Sequence, residues 1–177
     1  MNMQTGPAPK QSMDNWLLIT GIVEIANIAV FGFLCWTLSN LFGTTDKTFT
    51  IIGFLTLAVM LLEGGMYWLL VRARFFRKSP AKLRLRLLQG VYGVNILLML
   101  VFPVLLLIRT ASGYPIQLAD VLLGGGFYLF GVGEFLHYFV FKINMRPYEW
   151  RNAMQTGKFV PARVRRELHR AQRELQG

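Results

Sequence analysis

Four long apolar segments constrain the fold of this chain more than any other feature. They cover residues of about 16–42, 49–71, 87–108 and 118–141 in a sequence of 177 residues. Each segment reaches the roughly 20 residues that an α-helix needs to cross a bilayer core about 30 Å thick. None carries the polar face that a helix of a soluble bundle turns toward water. The sequence therefore predicts an all-α integral membrane protein with four transmembrane helices.

The Lys and Arg residues indicate how the four spans are oriented. Of the 19 basic residues, seven lie between the second and third spans and nine lie from Lys142 onward. Four spans put these two regions and the N-terminus on one side, which the positive-inside rule assigns to the cytoplasm. We therefore expect cytoplasmic tails over 1–15 and 143–177, a bundle over 16–142, and a bacterial inner membrane as the location.

The net charge of +10 has the same explanation. Because the basic residues lie close to the predicted membrane surface, they favour anionic lipid headgroups as partners over nucleic acid. The remaining basic residues are few, and the two outer loops are short. We expect no nucleic-acid binding and no extracellular domain.

Polar residues recur at one depth within the spans. Glu24, Glu63, Asn95 and Glu134 each lie about eight residues from the predicted cytoplasmic edge of their own helix, or roughly 12 Å deep. The four helices are therefore predicted to present carboxyl and amide groups in a common layer.

A weak internal repeat supports this layer. Shifting the second half of the chain by 71 residues aligns Gly53, Glu63 and Tyr67 with a second set of three residues, Gly124, Glu134 and Tyr138. The pattern predicts a duplicated two-helix hairpin whose halves are related by an axis along the membrane normal. Glu63 would then face Glu134 across the axis, and Glu24 and Asn95 would form the second equivalent pair.

The energetics of these glutamates point to a function. An ionised side chain at the bilayer centre costs roughly 2.5 to 3.5 kcal/mol on the lenient insertion scale, and no span contains a Lys or Arg to neutralise it. Each carboxyl group must be protonated and hydrogen-bonded, or must share a cation that is not part of the chain. Two alternatives stay open: the layer acts only as interhelical packing, or it binds a polar or lipid-like ligand.

A metal ion is one candidate for that cation. Glu134 and His137 have the E-x-x-H spacing by which one helix offers two ligands, as in carboxylate-bridged bundles. The candidate ligand set of oxygen atoms and one imidazole suits Mn, Fe or Zn, and it comprises Glu24, Asn27, Glu63, Glu134 and His137. No nucleophile triad, phosphate-binding loop or dinucleotide fingerprint occurs, so the sequence favours a non-enzymatic function and identifies no catalytic residue.

The C-terminal tail contains a predicted basic amphipathic helix over residues of about 161–175. Its narrow apolar stripe comprises Val164, Leu168, Ala171 and Leu175. Three arrangements are open: the helix lies on the inner leaflet, packs on the protein's own basic loop, or binds a partner. The surface that would meet lipid or partner is formed by Arg163, Arg165, Arg166, Arg170 and Arg173.

Three functional hypotheses follow from these patterns. The first is a small transporter-like or channel-like protein whose buried layer binds or relays a proton or a metal cation. The second is a membrane-embedded metalloenzyme that acts on a lipid-soluble substrate. The third is a non-catalytic accessory subunit, which would require another copy or a membrane-protein partner.

Overall fold

The computed structural model describes residues 10–141, 151, 154–156 and 161–176. Its helices are α1 (Lys10–Leu41), α2 (Thr48–Arg72), α3 (Phe75–Lys78), α4 (Ala81–Ala111), α5 (Leu118–Phe135), which continues as a π-helical turn (Leu136–Val140), and α6 (Arg163–Gln176). Helices α1, α2, α4 and α5 with its π-helical turn are long and apolar enough to cross a membrane. The prediction of a helical membrane protein with four such segments is confirmed at this level.

The helices differ from the predicted spans mainly at their ends. Helix α4 begins six residues before the predicted edge at 87 and runs to Ala111. Hydropathy detects only the apolar part of a helix, whereas Lys and Arg are good helix formers that extend it beyond the bilayer core. Helix α1 likewise begins at Lys10 rather than near residue 16.

Helix α2 lies at the centre, and α1 and α5 pack along it through glycines. A Cβ atom added at Gly53 would lie 2.0 Å from the carbonyl oxygen of Gly124. On the other side of α2, a Cβ atom added at Gly65 would lie 2.8 Å from the carbonyl oxygen of Gly21. Small residues let membrane helices approach until their backbones touch, and both contacts depend on that approach.

Helix α4 is peripheral to this three-helix core. A Cβ atom at Gly90 or Gly93 would meet nothing within 4 Å. Pro103 inside α4 lacks the N–H that would bond to the carbonyl of Met99, and the hydroxyl of Tyr128 donates to that carbonyl instead, at 2.9 Å. Helix α5 therefore satisfies the backbone group that the proline leaves free, as the membrane interior requires.

The bundle has two chemically different ends. We call the end with residues 42–47 and 112–117 the loop end, and the end with residues 73–80 and α6 the basic end. At the loop end, the buried carboxylate of Asp120 accepts hydrogen bonds from the N–H groups of Phe49 (2.9 Å) and Thr50 (2.8 Å). The first N–H groups of a helix have no partner within it, so a side chain of α5 caps α2.

Two more side chains tie the loops at this end together. The amide oxygen of Gln117 accepts from the N–H groups of Thr45 (3.0 Å) and Asp46 (3.3 Å), and its nitrogen donates to the carbonyl of Gly43 (3.1 Å). Arg109 forms an ion pair with Asp46. The two hairpins are therefore joined at the loop end by direct hydrogen bonds and an ion pair.

Candidate functional site

Glu63 of α2 and Asn95 of α4 form a hydrogen-bonded pair. The amide nitrogen of Asn95 donates to a carboxylate oxygen of Glu63 at 2.5 Å. Asn95 is fully buried, and its amide oxygen has no hydrogen-bond partner among the described residues. A buried acceptor without a donor is rare in proteins, so this oxygen is open to a proton donor.

Glu63 and Glu134 line one cavity of about 230 Å³ between α2, α4 and α5. Apart from these two carboxyl groups, the described lining is apolar or aromatic, and it contains no Lys or Arg. The aromatic rings belong to Tyr67, Phe76, Phe135, Tyr138 and Phe139. The cavity therefore combines two acidic groups with an apolar wall. Its described lining contains no basic side chain that could neutralise them.

Glu24 of α1 does not line this cavity, but a chain of hydrogen bonds joins it to Tyr138, which does. The indole N–H of Trp68 donates to the hydroxyl of Tyr138 at 2.9 Å, and that hydroxyl donates to Glu24, also at 2.9 Å. The ring of Tyr138 lies against Gly64, where a Cβ atom would come within 2.8 Å of it. Three helices are thus joined at the place where the π-helical turn begins.

His137 lies beside this chain. Its ring centroid is 5.2 Å from that of Tyr138, and it lines a cavity of about 280 Å³ together with Glu24 and Arg163. Turns of π-helix occur often at functional sites, because the extra residue turns side chains away from their regular helical positions. Here the turn carries both His137 and Tyr138.

The predicted layer is therefore divided between two places. Asn95 bonds to Glu63 and Glu24 bonds to Tyr138, so the expected pairing of Glu24 with Asn95 differs from the structure. The reason is that α1 and α4 each contact α2 but make few or no contacts with each other, and α4 packs more against α6. Glu63 and Glu134 line a common cavity, while their predicted arrangement across the axis of a duplicated hairpin stays a prediction.

Comparisons with protein-family models, with curated proteins and with solved structures find no match for this chain. Its function must accordingly be inferred from its own residues. The two-carboxylate cavity and the chain from Trp68 to Glu24 are the features that such an inference can use.

The metal-binding prediction gains no support from the geometry. Among the described residues, no group of three or more His, Cys, Asp or Glu side chains lies close enough together to hold a metal ion. The candidates Glu63 and Glu134 line one cavity, Glu24 and His137 line another, and Asn27 is half-buried on α1. A metal ion and the metalloenzyme hypothesis stay predictions.

The C-terminal arginines belong to a helix that is packed on the rest of the protein. Val164 and Ala171 of α6 are buried, and Leu168 packs against the aromatic cluster at the basic end. Arg84 of α4 is 5% exposed and forms an ion pair with Glu174 of α6. The helix therefore packs on the protein itself, while its binding to lipid or to a partner stays a prediction.

Sequence reasoning missed several residues that organise these sites. Tyr138 was noted only as part of a repeat, and Trp68, Asp120 and Arg84 were not singled out. The position of Asp120 could have predicted its role. An acidic residue just inside an apolar span is costly unless its carboxylate accepts hydrogen bonds from backbone N–H groups. No comparable signal links Trp68 to Tyr138, since the link depends on how the two helices are rotated.

Proposed function

We propose that this protein is a small transporter-like membrane protein that exchanges protons for a cation at Glu63 and Glu134. The observation that carries the proposal is that both carboxyl groups line one apolar cavity without a Lys or Arg among its described lining residues. Two ionised carboxylates in such a place are unfavourable, so they take up protons or a cation. Binding of one then displaces the other.

Asn95 supports this exchange because an amide can bond to either form of a carboxyl group. Its nitrogen donates to Glu63 at 2.5 Å, an arrangement that suits the ionised carboxylate. After a rotation of the amide, its oxygen, which has no partner among the described residues, would accept from the protonated acid. Asn95 can therefore hold Glu63 in place through both halves of a protonation cycle.

The wall of the cavity favours an organic cation over a metal ion. Five aromatic rings line it, and aromatic faces attract desolvated alkylammonium groups by about 2 kcal/mol. A hard metal ion would need several more oxygen or nitrogen ligands than two carboxyl groups supply. We therefore expect the ligand to be a small organic cation with apolar substituents that reaches the cavity from the membrane.

We extend the proposal to the architecture. The basic residues of 73–80 and of α6 lie at one end of the bundle. By the positive-inside rule, this supports an inner-membrane protein whose basic end and whose two termini lie in the cytoplasm. The 71-residue offset of the proposed hairpin duplication matches the contact of Gly53 with Gly124. It also matches the contact of Tyr67 with Tyr138, whose ring centroids are 6.3 Å apart.

The proposal is tested by calorimetric binding of benzyltrimethylammonium to the detergent-purified protein across a pH series. Because the carboxyl groups must lose protons to receive the cation, affinity should rise with pH, and binding should release protons. The Glu63→Gln and Glu134→Gln variants should each bind about tenfold more weakly or worse, and lose most of the pH dependence.

Two matched controls accompany this experiment. The Glu24→Gln variant makes the same chemical change at a side chain that does not line the cavity, and its amide oxygen can still accept from Tyr138, so it should bind like wild type. Neopentylbenzene, the uncharged carbon analogue of the probe, should show no gain in affinity as the pH rises, because it cannot pair with an ionised carboxylate. If the analogue binds as tightly as the cation at every pH, or if all three Gln variants behave alike, the cavity is not a cation-exchange site.

A further inference from the structure

A third cavity, of about 680 Å³, lies at the basic end between α3 and α6. Its described lining includes six arginines and one acidic residue, Glu167, which gives a net charge of +5 with His169 neutral. We call this cavity the arginine cleft. Its arginines are Arg74, Arg77, Arg163, Arg166, Arg170 and Arg173.

The charges of the arginine cleft are not balanced within the described part of the chain. Glu174 pairs with Arg170 at 3.2 Å and with Arg84 outside the cleft. Arg74, Arg77, Arg166 and Arg173 form no salt bridge with a described residue. Guanidinium groups that converge without counter-charges repel one another, and an anion bound among them would relieve that repulsion.

Both walls of the arginine cleft are held in place. The wall formed by α6 is fixed by the ion pair of Glu174 with the buried Arg84 and by Arg163, whose guanidinium lies 4.7 Å from the ring centroid of Trp68. On the opposite wall, Arg74 has a φ of 58°, a left-handed conformation that is uncommon for residues other than glycine. An arginine thus occupies a position whose backbone conformation favours glycine.

The floor of the arginine cleft identifies the kind of anion. Tyr67 and Phe76 line both this cleft and the apolar cavity that contains Glu63. The cleft also begins where α2 ends at Arg72, which is the edge of a membrane-crossing helix. A ligand that fits both surfaces has an anionic head and an apolar chain.

We propose that the arginine cleft binds the phosphate headgroup of an anionic phospholipid, with an acyl chain lying along Tyr67 and Phe76. The inference does not depend on cation exchange, because its charged side chains and its ligand are different and only the apolar residues Tyr67 and Phe76 line both cavities. It also gives α6 a role: this helix supplies four of the six arginines and closes one side of the headgroup site.

The test measures thermal unfolding, by tryptophan fluorescence, of the purified full chain in a neutral detergent. Phosphatidylglycerol, phosphatidylcholine and glycerol 3-phosphate are titrated separately. Phosphatidylglycerol should raise the midpoint of unfolding, while phosphatidylcholine, whose phosphate is neutralised by choline, should have little effect. The stabilisation should weaken at high salt.

Two double variants locate the effect. Arg77→Gln with Arg166→Gln removes two charges from the arginine cleft and should weaken apparent lipid affinity by about 25-fold, or about fivefold per arginine. Arg86→Gln with Arg165→Gln removes two charges from exposed positions on α4 and α6 that do not line the cleft. This control should keep the wild-type affinity.

A third variant guards against a folding defect. Glycine adopts the left-handed conformation freely, so Arg74→Gly removes one guanidinium group while keeping the backbone. It should fold like wild type and bind phosphatidylglycerol about fivefold more weakly. Equal stabilisation by phosphatidylcholine, or equal losses in the two double variants, would overturn the proposal. Equal stabilisation by glycerol 3-phosphate would show that the anion is soluble and not a lipid.

Discussion

The two ends of the bundle differ in the partners of their polar and charged side chains. At the loop end, Asp120, Gln117 and Arg109 each bond directly to the other hairpin, and helix backbones touch at Gly53 and Gly124. At the basic end, Glu63 and Glu134 line a cavity with no Lys or Arg in its described lining, and four arginines of the arginine cleft form no salt bridge with a described residue. The side chains at the loop end thus hold the two hairpins together, whereas those at the basic end carry the two proposed binding sites.

The largest effect is expected where backbones touch at the loop end. A Cβ atom at Gly124 would lie 2.2 Å from the carbonyl oxygen of Phe49, and no flexible side chain can yield there. Gly124→Leu should therefore destabilise the protein by about 3 kcal/mol or more. The matched control is Gly126→Leu, because a Cβ atom at Gly126 meets nothing within 4 Å. Equal thermal midpoints for these two variants would contradict the packing described for α2 and α5.

The next effect concerns the cap on α2. Asp120→Ala leaves the buried N–H groups of Phe49 and Thr50 without their acceptor, which should cost roughly 2 to 4 kcal/mol of unfolding free energy. Asp120→Asn keeps one acceptor oxygen, so its loss should be intermediate. Chemical denaturation of the three proteins in detergent gives this order, and a neutral result for alanine would refute the cap.

A smaller effect should appear as a pH dependence at the loop end. Hydrogen bonds from Thr48 and then from Arg109 lower the pKa of Asp46 to about 2. Because the folded pKa lies below the unfolded value of about 4, this stability is present above pH 4 and is lost as the pH falls toward 2. The side chain is one-third exposed, so solvent screening limits the contribution to about 1 kcal/mol.

Asp46→Asn measures this contribution. The variant should unfold more easily than wild type at neutral pH by about 1 kcal/mol. The two stability curves should converge near pH 2. A constant difference between them across the whole pH range would show that Asp46 acts through shape and not through its charge.

The smallest effect on stability is expected at the basic end. Glu63→Gln keeps the shape of the side chain and can still bond to Asn95. It should therefore change the unfolding free energy by less than about 0.5 kcal/mol, even though it is expected to impair cation binding. A loss comparable to that of Asp120→Ala would make Glu63 a structural residue and would erase the contrast between the two ends.

Hydropathy and charge were sufficient to predict the four spans and the basic amphipathic helix. They give the depth of a residue along its helix but not the direction in which its side chain points. The bond between Tyr138 and Glu24 depends on that direction and on the π-helical turn, which has no simple sequence signature. The same missing information explains why Asn95 bonds to Glu63 and is not paired with Glu24. Helix α4 lies farther from the three-helix core than a symmetric four-helix bundle would place it.

The cap that Asp120 places on α2 has a consequence for how the protein is made. The capping side chain is 71 residues farther along the chain than Phe49, so α2 enters the membrane before its cap has been synthesised. Until α5 arrives, the first N–H groups of α2 must be hydrated at the bilayer surface. The first hairpin is therefore an unfinished intermediate, and the two halves of the chain, expressed as separate fragments, should be recovered from the membrane as a complex.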